Sequence, residues 1–388
     1  MTNILPQELI TEILSLLLVK PLLRFQCVSK AWFVVINDPD FIKMHLNRSI
    51  ETNRERALIA DANNAILPHT YYSVNFSNKQ QFSEPVEIFR PFNHPTNTFI
   101  RIIGHCNGLV CLQICPCCCS NIEERNKYPN EIVIWNPLIR KYKKLPFKPI
   151  EIPDNYVFEV AFGYDQINDD YKVVRILMPQ PHLAGVAEVG HHVCSLRGNS
   201  WRKVEDKWPR KDLYLHTQCS ASLNSALHWV VAGRSGLTSA IVAFDLSTEK
   251  FRMHALPIEI ESRASEYYTH LVVLGGCLCV WEFHCEQFFV VWVMKEYGVA
   301  ASNWTRLYRF PQGPQQDPYY SKPLALSNNG EEVLMHEALI HENSGKLYWY
   351  NIKKKRSRIV EIHKRIETCE LNIVVVGSLL LLDGELDH

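Results

Sequence analysis

The sequence predicts two architectures in series: a small all-α helical module at the N-terminus, then an all-β domain closing into a six-bladed β-propeller. Three observations carry this expectation. Apolar residues recur at helical spacing between Leu9 and Leu46. Past a polar, charged stretch at residues 51–56, short alternating segments rich in β-branched and aromatic residues take over, punctuated by Gly, Pro, Asn and Asp. These segments pair into hairpins, and the hairpins repeat along the rest of the chain.

Each helix has its own signals. Pro6 suits a first helical position, where its missing N–H costs nothing, and Gln7 and Glu8 place polarity in the first turn. Leu9, Ile13, Leu16 and Leu17 recur at helical spacing, with Ile10 and Leu14 widening the stripe. Lys20-Pro21 breaks this helix and starts a second, in which Leu22, Phe25 and Val28 follow at intervals of three. Ser29 caps a third helix carrying Trp32, Val35 and Ile36; Asp38-Pro39 ends it, and Phe41 and Leu46 sit on a last short helix. A hairpin of about 45 residues makes a marginal isolated core. Yet these helices are apolar nearly all round. The surplus is either packed onto the rest of the chain or presented to a partner as an exposed apolar patch.

The residues L-P-x-E-L-I-x-E-I-L, V-K-x-L-L-R-F-x-C-V-S-K-x-W and D-P-x-F-x-x-x-H-L, spread over residues 5–46, resemble the plant F-box. The resemblance implies docking onto a Skp-type adaptor and, through it, a cullin-RING ubiquitin ligase. It places Leu5, Pro6, Leu9, Ile13, Leu14, Leu17 and Leu22 on the adaptor-facing surface. Phe25, Val28 and Trp32 would hold the helices together. The expected boundaries are an F-box at 1–46, a linker at 47–56 and the β domain at 57–388. One departure stands out: the family usually reads R-L-P-V-K-S where this chain has Leu16-Leu17-Leu18-Val19-Lys20-Pro21. With the proline displaced, the first helix is expected to run longer and adaptor affinity to be weaker.

In the β domain, IWNPLIRKYKKLP begins at Ile134, VCSLRGNSWRKVE at Val193, VAFDLSTEKFRMHALP at Val242 and YWYNIKKKRSRIVEI at Tyr348. Each is a strand, a polar turn and a second strand; the stretch from Val290 is the same hairpin with a longer turn. Other hairpins precede them: GHCNGLVCLQI, AFGYDQINDDYKVVRI, SASLNSALHWVVA, VVLGGCLCVWEF and SNNGEEVLMHEAL. Two hairpins per unit, recurring at roughly 40–60 residues, match four-stranded propeller blades near the kelch-type period. Five units lie between Gly104 and Ile362. RALIADA, YYSVNF and the C-terminal IVVVGSLLLL are left to form a sixth from both ends of the domain. G-x-x-N-G-L-V-C-L, I-W-N-P-x-x-R-K-x-x-x-L-P, F-G-Y-D-x-x-x-x-D-Y-K-V-V-R-I and C-S-L-x-x-x-S-W-R together resemble the F-box-associated domain of plant F-box proteins. VVWVMKEYGVAASNW is similar to the S-locus F-box group, whose targets include S-RNases.

Composition narrows the function classes. Hydrophobic residues make up 47% and charged residues 21%, an ordinary globular balance. Lys+Arg and Asp+Glu are both 41, so no bulk basic field attracts nucleic acid or anionic lipid. Lys353-Lys354-Lys355-Arg356 reads as a solvated turn. Thirteen scattered cysteines are unlike a disulfide scaffold and point to a reducing compartment. No secretory signal is visible, and NIVVVGSLLLLDG falls short of the about 20 apolar residues that span a bilayer. The expected setting is therefore cytoplasmic, with the nucleus left open, and without membrane contact.

No cofactor or metal is expected. Cys115-Pro116-Cys117-Cys118-Cys119, near Cys106 and Cys111, lacks the two spaced pairs of structural zinc and reads as a loop insertion. His182, His191 and His192 flank a loop without H-E-x-x-H spacing, and read as exposed loop histidines. Asp165, Asp169 and Asp170 bracket a hairpin turn, where Asp bonds the local backbone. No G-x-S-x-G, P-loop or G-x-G-x-x-G occurs. Trp135, Trp201, Trp229, Trp281, Trp292, Trp304 and Trp349 are expected to pack between blades.

The expected function is non-catalytic: an F-box recruits a ligase while the propeller holds a protein substrate. A propeller hydrolase or oxidase, or an F-box scaffold outside a ligase, are the alternatives. Substrate specificity is assigned to long loops at 115–130, 178–191 and 311–323, with Tyr319 and Tyr320 as anchoring side chains.

Overall fold

The structure, a computed structural model, describes residues 6–382 except 54, 63–69, 77–81, 89–97, 117–130, 149–155, 181–187, 234–238, 258–259, 261–267, 285–287, 299–303, 312–318, 340–344, 362 and 364–369. Four helices open the chain: α1 (Gln7–Ser15), α2 (Val19–Phe25), α3 (Lys30–Ile36) and α4 (Pro39–Thr52). Pro6 occupies the N-cap of α1. Ser29 caps α3 by accepting the Trp32 N–H, and Asp38 caps α4 through the N–H groups of Asp40 and Phe41.

Two expectations are corrected. The first helix does not run longer: α1 stops at Ser15, and Pro21 is accommodated inside the first turn of α2, where its missing N–H needs no partner. The last helix is not short. It is the longest of the four and carries residues 47–52, so the segment expected as a linker is helical to Thr52 and ends on left-handed Asn53.

The named elements that follow are strands: β1 (Arg56–Ala62), β2 (Thr70–Phe76) and β3 (Val86–Ile88); then β4 (Thr98–Cys106), β5 (Leu109–Pro116), β6 (Glu131–Asn136) and β7 (Lys141–Lys144). The next sheet holds β8 (Tyr156–Asp165), β9 (Asp170–Pro179), β10 (Gly190–Ser195) and β11 (Ser200–Lys203). After it come β12 (Leu213–Leu223), β13 (Ala226–Gly233), β14 (Ser239–Asp245) and β15 (Lys250–Ala255). The last two sequential sheets are β16 (Tyr268–Leu274), β17 (Cys277–His284), β18 (Phe288–Met294), β19 (Trp304–Pro311), and β20 (Tyr319–Leu326), β21 (Glu332–Leu339), β22 (Gly345–Asn351), β23 (Arg356–Val360). The sixth blade has the order β24-β1-β2-β3, with β24 (Glu370–Val376) antiparallel to β1. The six-bladed propeller is therefore closed by strands from both ends of the β domain, as the leftover segments foretold.

The repeated hairpins share a local chemistry. Asn136, Asp165, Ser195, Asp245 and Asn351 each precede a four-residue turn whose last residue is left-handed: Arg140, Asp169, Asn199, Glu249 and Lys355. In every case the side-chain oxygen of the first residue accepts an N–H two or three positions on, as from Leu138, Asn168, Gly198, Thr248 and Lys354. Three further turns are two-residue links with both residues left-handed, at Asn107-Gly108, Asn224-Ser225 and Gly275-Gly276, while the β20–β21 turn is longer, with Gly330 left-handed.

Strand parity fixes the two faces. In an antiparallel four-stranded blade, the links from first to second and from third to fourth strand lie on one face; the remaining links lie on the other. All the tight turns above belong to the first set. So does the junction where the chain enters β1 and leaves β24, with the Gly377 N–H bonded to the Glu55 carbonyl at 2.8 Å. The helical module sits on that face. Lys43 of α4 pairs with Asp169 of the β8–β9 turn at 3.3 Å, and Leu138 and Ile139 of the β6–β7 turn pack onto the helical core.

Blade-to-blade packing buries Trp135, Trp229, Trp281, Trp292 and Trp349, with Trp201 and Trp304 packed at the margins of the same clusters. Two buried histidines make this core acid-sensitive. His228 donates through Nδ1 to the Ala221 carbonyl at 3.0 Å and accepts from the Tyr297 hydroxyl through Nε2 at 2.6 Å, so it is neutral. His336 is buried with neither ring nitrogen partnered among the described residues. Burial pushes His228 down to about 4 and His336 down to about 3. Both sit below the unfolded value near 6.5, so their contribution is complete above about pH 6.5 and is lost as pH falls towards 4. The expected loss at pH 5 is roughly 2 kcal/mol from each. Denaturant unfolding at pH 7.5 and pH 5 checks this, and His336→Leu should flatten the difference by about that amount.

Candidate functional site

Among the described residues, exposed large apolar side chains concentrate on the helical module. Leu9, Ile13, Leu16, Leu18, Val28, Phe33, Val34 and Ile50 all lie there, against six for the whole propeller and C-terminal segment. A module of this size has too little interior for them. Leu9 and Ile13, each 50% exposed, stand one turn apart on α1; Leu16 and Leu18 extend the ridge into the α1–α2 turn. A second patch lies at the α2–α3 corner, where Gln26, Cys27, Ser29, Lys30, Phe33 and Val34 line an open depression of about 610 Å³.

The seven residues assigned to a docking surface divide. Leu9 and Ile13 are exposed, as is Pro6, and Leu17 is half-buried against the helical core. Leu5 lies outside the described residues. Leu14 and Leu22 are corrected: at 1% and 0% exposed they are the core itself, packed with Val19, Val35, Ile36, Phe41 and Ile42. Val28 is corrected in the other direction, being exposed, whereas Phe25 and Trp32 do hold the helices together, edge to face at 5.2 Å. Periodicity could not separate Leu9 from Leu14, because the stripe on α1 is wide enough to include both. The two classes respond differently to substitution. Leu14→Ala or Leu22→Ala should cost about 2–5 kcal/mol of stability, and Leu9→Ala less than about 1, measured by denaturant unfolding.

Polar contacts set the module's shape. His45, buried, donates through Nε2 to the Leu17 carbonyl at 2.8 Å and ties α4 to the α1–α2 turn; burial holds its pKa below the ordinary histidine range. Arg48 bonds Ser15 Oγ at 2.8 Å and Glu12 at 3.2 Å, fastening α4 to α1.

On the propeller, the three loops assigned to specificity connect β5 to β6, β9 to β10, and β19 to β20. Strand parity puts all three on the face opposite the helical module. They are shorter than expected. Cys115 and Pro116 end β5, Met178 and Pro179 end β9, and Gly190 and His191 begin β10. Tyr319 and Tyr320 are not loop residues but begin β20, paired with Leu339 and Ala338. Residues 117–130, 181–187 and 312–318, including Cys117, Cys118, Cys119 and His182, lie outside the described residues.

The histidine pair is also relocated: His191 is a buried strand residue donating to the Asp206 carbonyl at 2.6 Å, and His192 is half-buried on the same strand. Asp165 bonds its turn and pairs with buried Lys172 at 2.9 Å, while Lys172 reaches Glu249 of the next blade at 3.1 Å. Its carboxyl is held well below the usual range: burial opposes ionisation, but bonds from Asn168, Ser247 and Lys172 outweigh it. Burial pushes the Cys106 thiol up to about 12 and the Cys279 thiol up to about 12, so neither is a ready thiolate. Among the described residues no three His, Cys, Asp or Glu side chains are placed to hold one metal ion.

Residues 62–376 match the family described as F-box associated beta propeller domain, and residues 2–48 match the family described as F-box-like. The chain belongs to the F-box proteins that carry an F-box-associated β-propeller. F-box protein CPR1 of Arabidopsis thaliana is 29% identical over 99% of this chain and 91% of its own length. The F-box/kelch-repeat protein At3g23880 of the same plant is 26% identical over 79% of each chain. In this F-box protein the apolar ridge of α1 is the exposed surface of the F-box. Within the stretch similar to the S-locus group, Trp292 and Met294 are buried and Trp304 packs beside them, so these three side chains serve blade packing.

Proposed function

We propose that this chain is the substrate receptor of a Skp–cullin–F-box ubiquitin ligase, with the F-box docked on a Skp-type adaptor through Pro6, Leu9, Ile13 and the exposed edge of Leu17. The observation that supports this best is the concentration of exposed apolar side chains on the F-box, a surface that a stable soluble protein covers with a partner. The receptor does no bond-making itself. It holds a protein target at high effective concentration beside ubiquitin-transfer machinery carried by other subunits.

The target is bound on the propeller face opposite the F-box, at the ends of β5, β9 and β19 and the starts of β6, β10 and β20, which flank residues 117–130, 180–189 and 312–318. On the other face the F-box packs over the β6–β7 and β8–β9 turns. Co-expression with a Skp-type adaptor and a cullin, followed by affinity capture, tests the receptor role; a full-length chain that captures no adaptor sinks it. Exchanging the three far-face loops for those of a relative should redirect target capture without altering adaptor capture or melting temperature. Unchanged target capture after all three exchanges removes the loops from recognition.

A further inference from the structure

Between the F-box and the propeller lie residues 377–382, which the sequence assigned to the last strand of the sixth blade; instead β24 ends at Val376 and they run across the F-box face. Its backbone is fixed at several points. The Gly377 N–H donates to the Glu55 carbonyl at 2.8 Å. The carboxylate of the same Glu55 accepts the Val19 N–H at 3.0 Å, at the start of α2, where Leu18 supplies no side-chain cap. A Cβ at position 377 would stand 2.1 Å from that carboxylate oxygen, so only glycine leaves Glu55 on Val19. Asn136, fully buried in the β6–β7 turn, donates through Nδ2 to the carbonyls of Ser378 at 3.0 Å and Leu380 at 3.2 Å. Gly108, with φ +82°, makes room below: a Cβ there would meet Ser378 at 2.4 Å.

The side chains then alternate between the two modules. Leu379, 3% exposed, is a member of the F-box core with Leu14, Val19, Leu22 and Phe41. Leu382 packs with Leu109, Ile134 and Phe162 of the propeller, Leu380 touches both clusters, and Leu381 points to solvent. An F-box cut at Thr52 would therefore lack a core side chain and the group that satisfies the N-terminus of α2.

We propose that residues 377–382 are a working part of the F-box: they complete its core, lock its orientation on the propeller, and make adaptor docking depend on the C-terminal end of the β domain. The adaptor half of this inference rests on the receptor function proposed above; the structural half does not. The test uses the full-length chain, with Leu379→Asp and the milder Gly377→Ala, and with Leu381→Asp as the exposed control. Limited proteolysis at residues 53–55 reads local opening of the F-box from the propeller, and titration with a purified Skp-type adaptor reads docking. Leu379→Asp should speed cleavage by at least about tenfold and weaken adaptor affinity by at least about tenfold, with Gly377→Ala intermediate and Leu381→Asp unchanged. Near-ultraviolet circular dichroism should show the propeller intact in all three. Cleavage at the parental rate in Leu379→Asp and Gly377→Ala overturns the lock, whatever the adaptor does. Faster cleavage with undiminished affinity overturns the dependence of docking on this segment. If the parental chain itself binds no adaptor, the receptor function fails while the cleavage rates still decide the lock.

Discussion

Changing Leu9 and Ile13 together to Asp should abolish capture of a Skp-type adaptor and leave the protein folded. Both side chains are half exposed on one ridge of α1, so two carboxylates there remain solvated in the free chain and cost little stability. In the proposed complex the same positions would be desolvated beneath the adaptor. Truncating a central apolar anchor typically costs 2 kcal/mol or more, and a buried unpaired charge adds to that. Two such changes should weaken binding by at least about 4 kcal/mol, roughly a thousandfold, which removes the complex from an affinity capture. Isothermal titration and thermal melts on the same preparations check both halves. Adaptor binding within about tenfold of the parent would show that α1 is not the docking ridge, and would move attention to the α2–α3 corner around Phe33 and Val34.

Deleting residues 371–388 should destroy the propeller. The deletion removes nearly all of β24, the only partner of β1 on that side, and so unpairs the N–H and C=O groups along Arg56–Asp61. It also strips Val375 from a cluster shared with Ala57, Ile59, Tyr71 and Trp135, opening the interface between the sixth blade and the β4–β7 sheet. Radial packing leaves each blade only short, protected edges, whereas the truncation bares the β1 edge along Ala57, Leu58, Ile59 and Ala60, which templates aggregation. The expected product is insoluble on expression, and no cooperative melt is recoverable after refolding. A soluble truncation with a single sharp transition would mean that the five remaining blades and the β1–β3 remnant close without β24. Stopping instead after Val376 keeps β24 and removes the lock on the F-box together with the Leu380 and Leu382 contacts to the propeller, so the two truncations separate loss of β24 pairing from loss of the 377–382 segment.

Much of this molecule was legible in the sequence because its rules are local. The turns are written in residues such as Asn136, Asp245 and Asn351, whose side chains bond their own backbone, followed by a residue that tolerates a left-handed conformation. Counting those hairpins gave the blades. Ser29 and Asp38-Pro39 likewise marked helix boundaries, since a cap satisfies N–H groups only two or three residues away. Helix α1 was misjudged in length for the converse reason. Its end at Ser15 is not set by Pro21 but by the turn that brings Leu17 under His45, a contact made 28 residues along the chain.

By itself, then, the sequence determined the class of each element, the number of blades and the family, all of which follow from short-range periodicity and turn chemistry. Tertiary structure alone decided which leucines of an all-round apolar module face inward, so that Leu14 and Leu22 are core while Leu9 and Ile13 are exposed. It also decided that the long loops lie opposite the F-box, because face is a property of strand parity and of where β24 meets β1. And it gave Leu379 to the F-box core from the far end of the chain: apolar burial rewards any side chain that fills the space, whatever its distance in sequence.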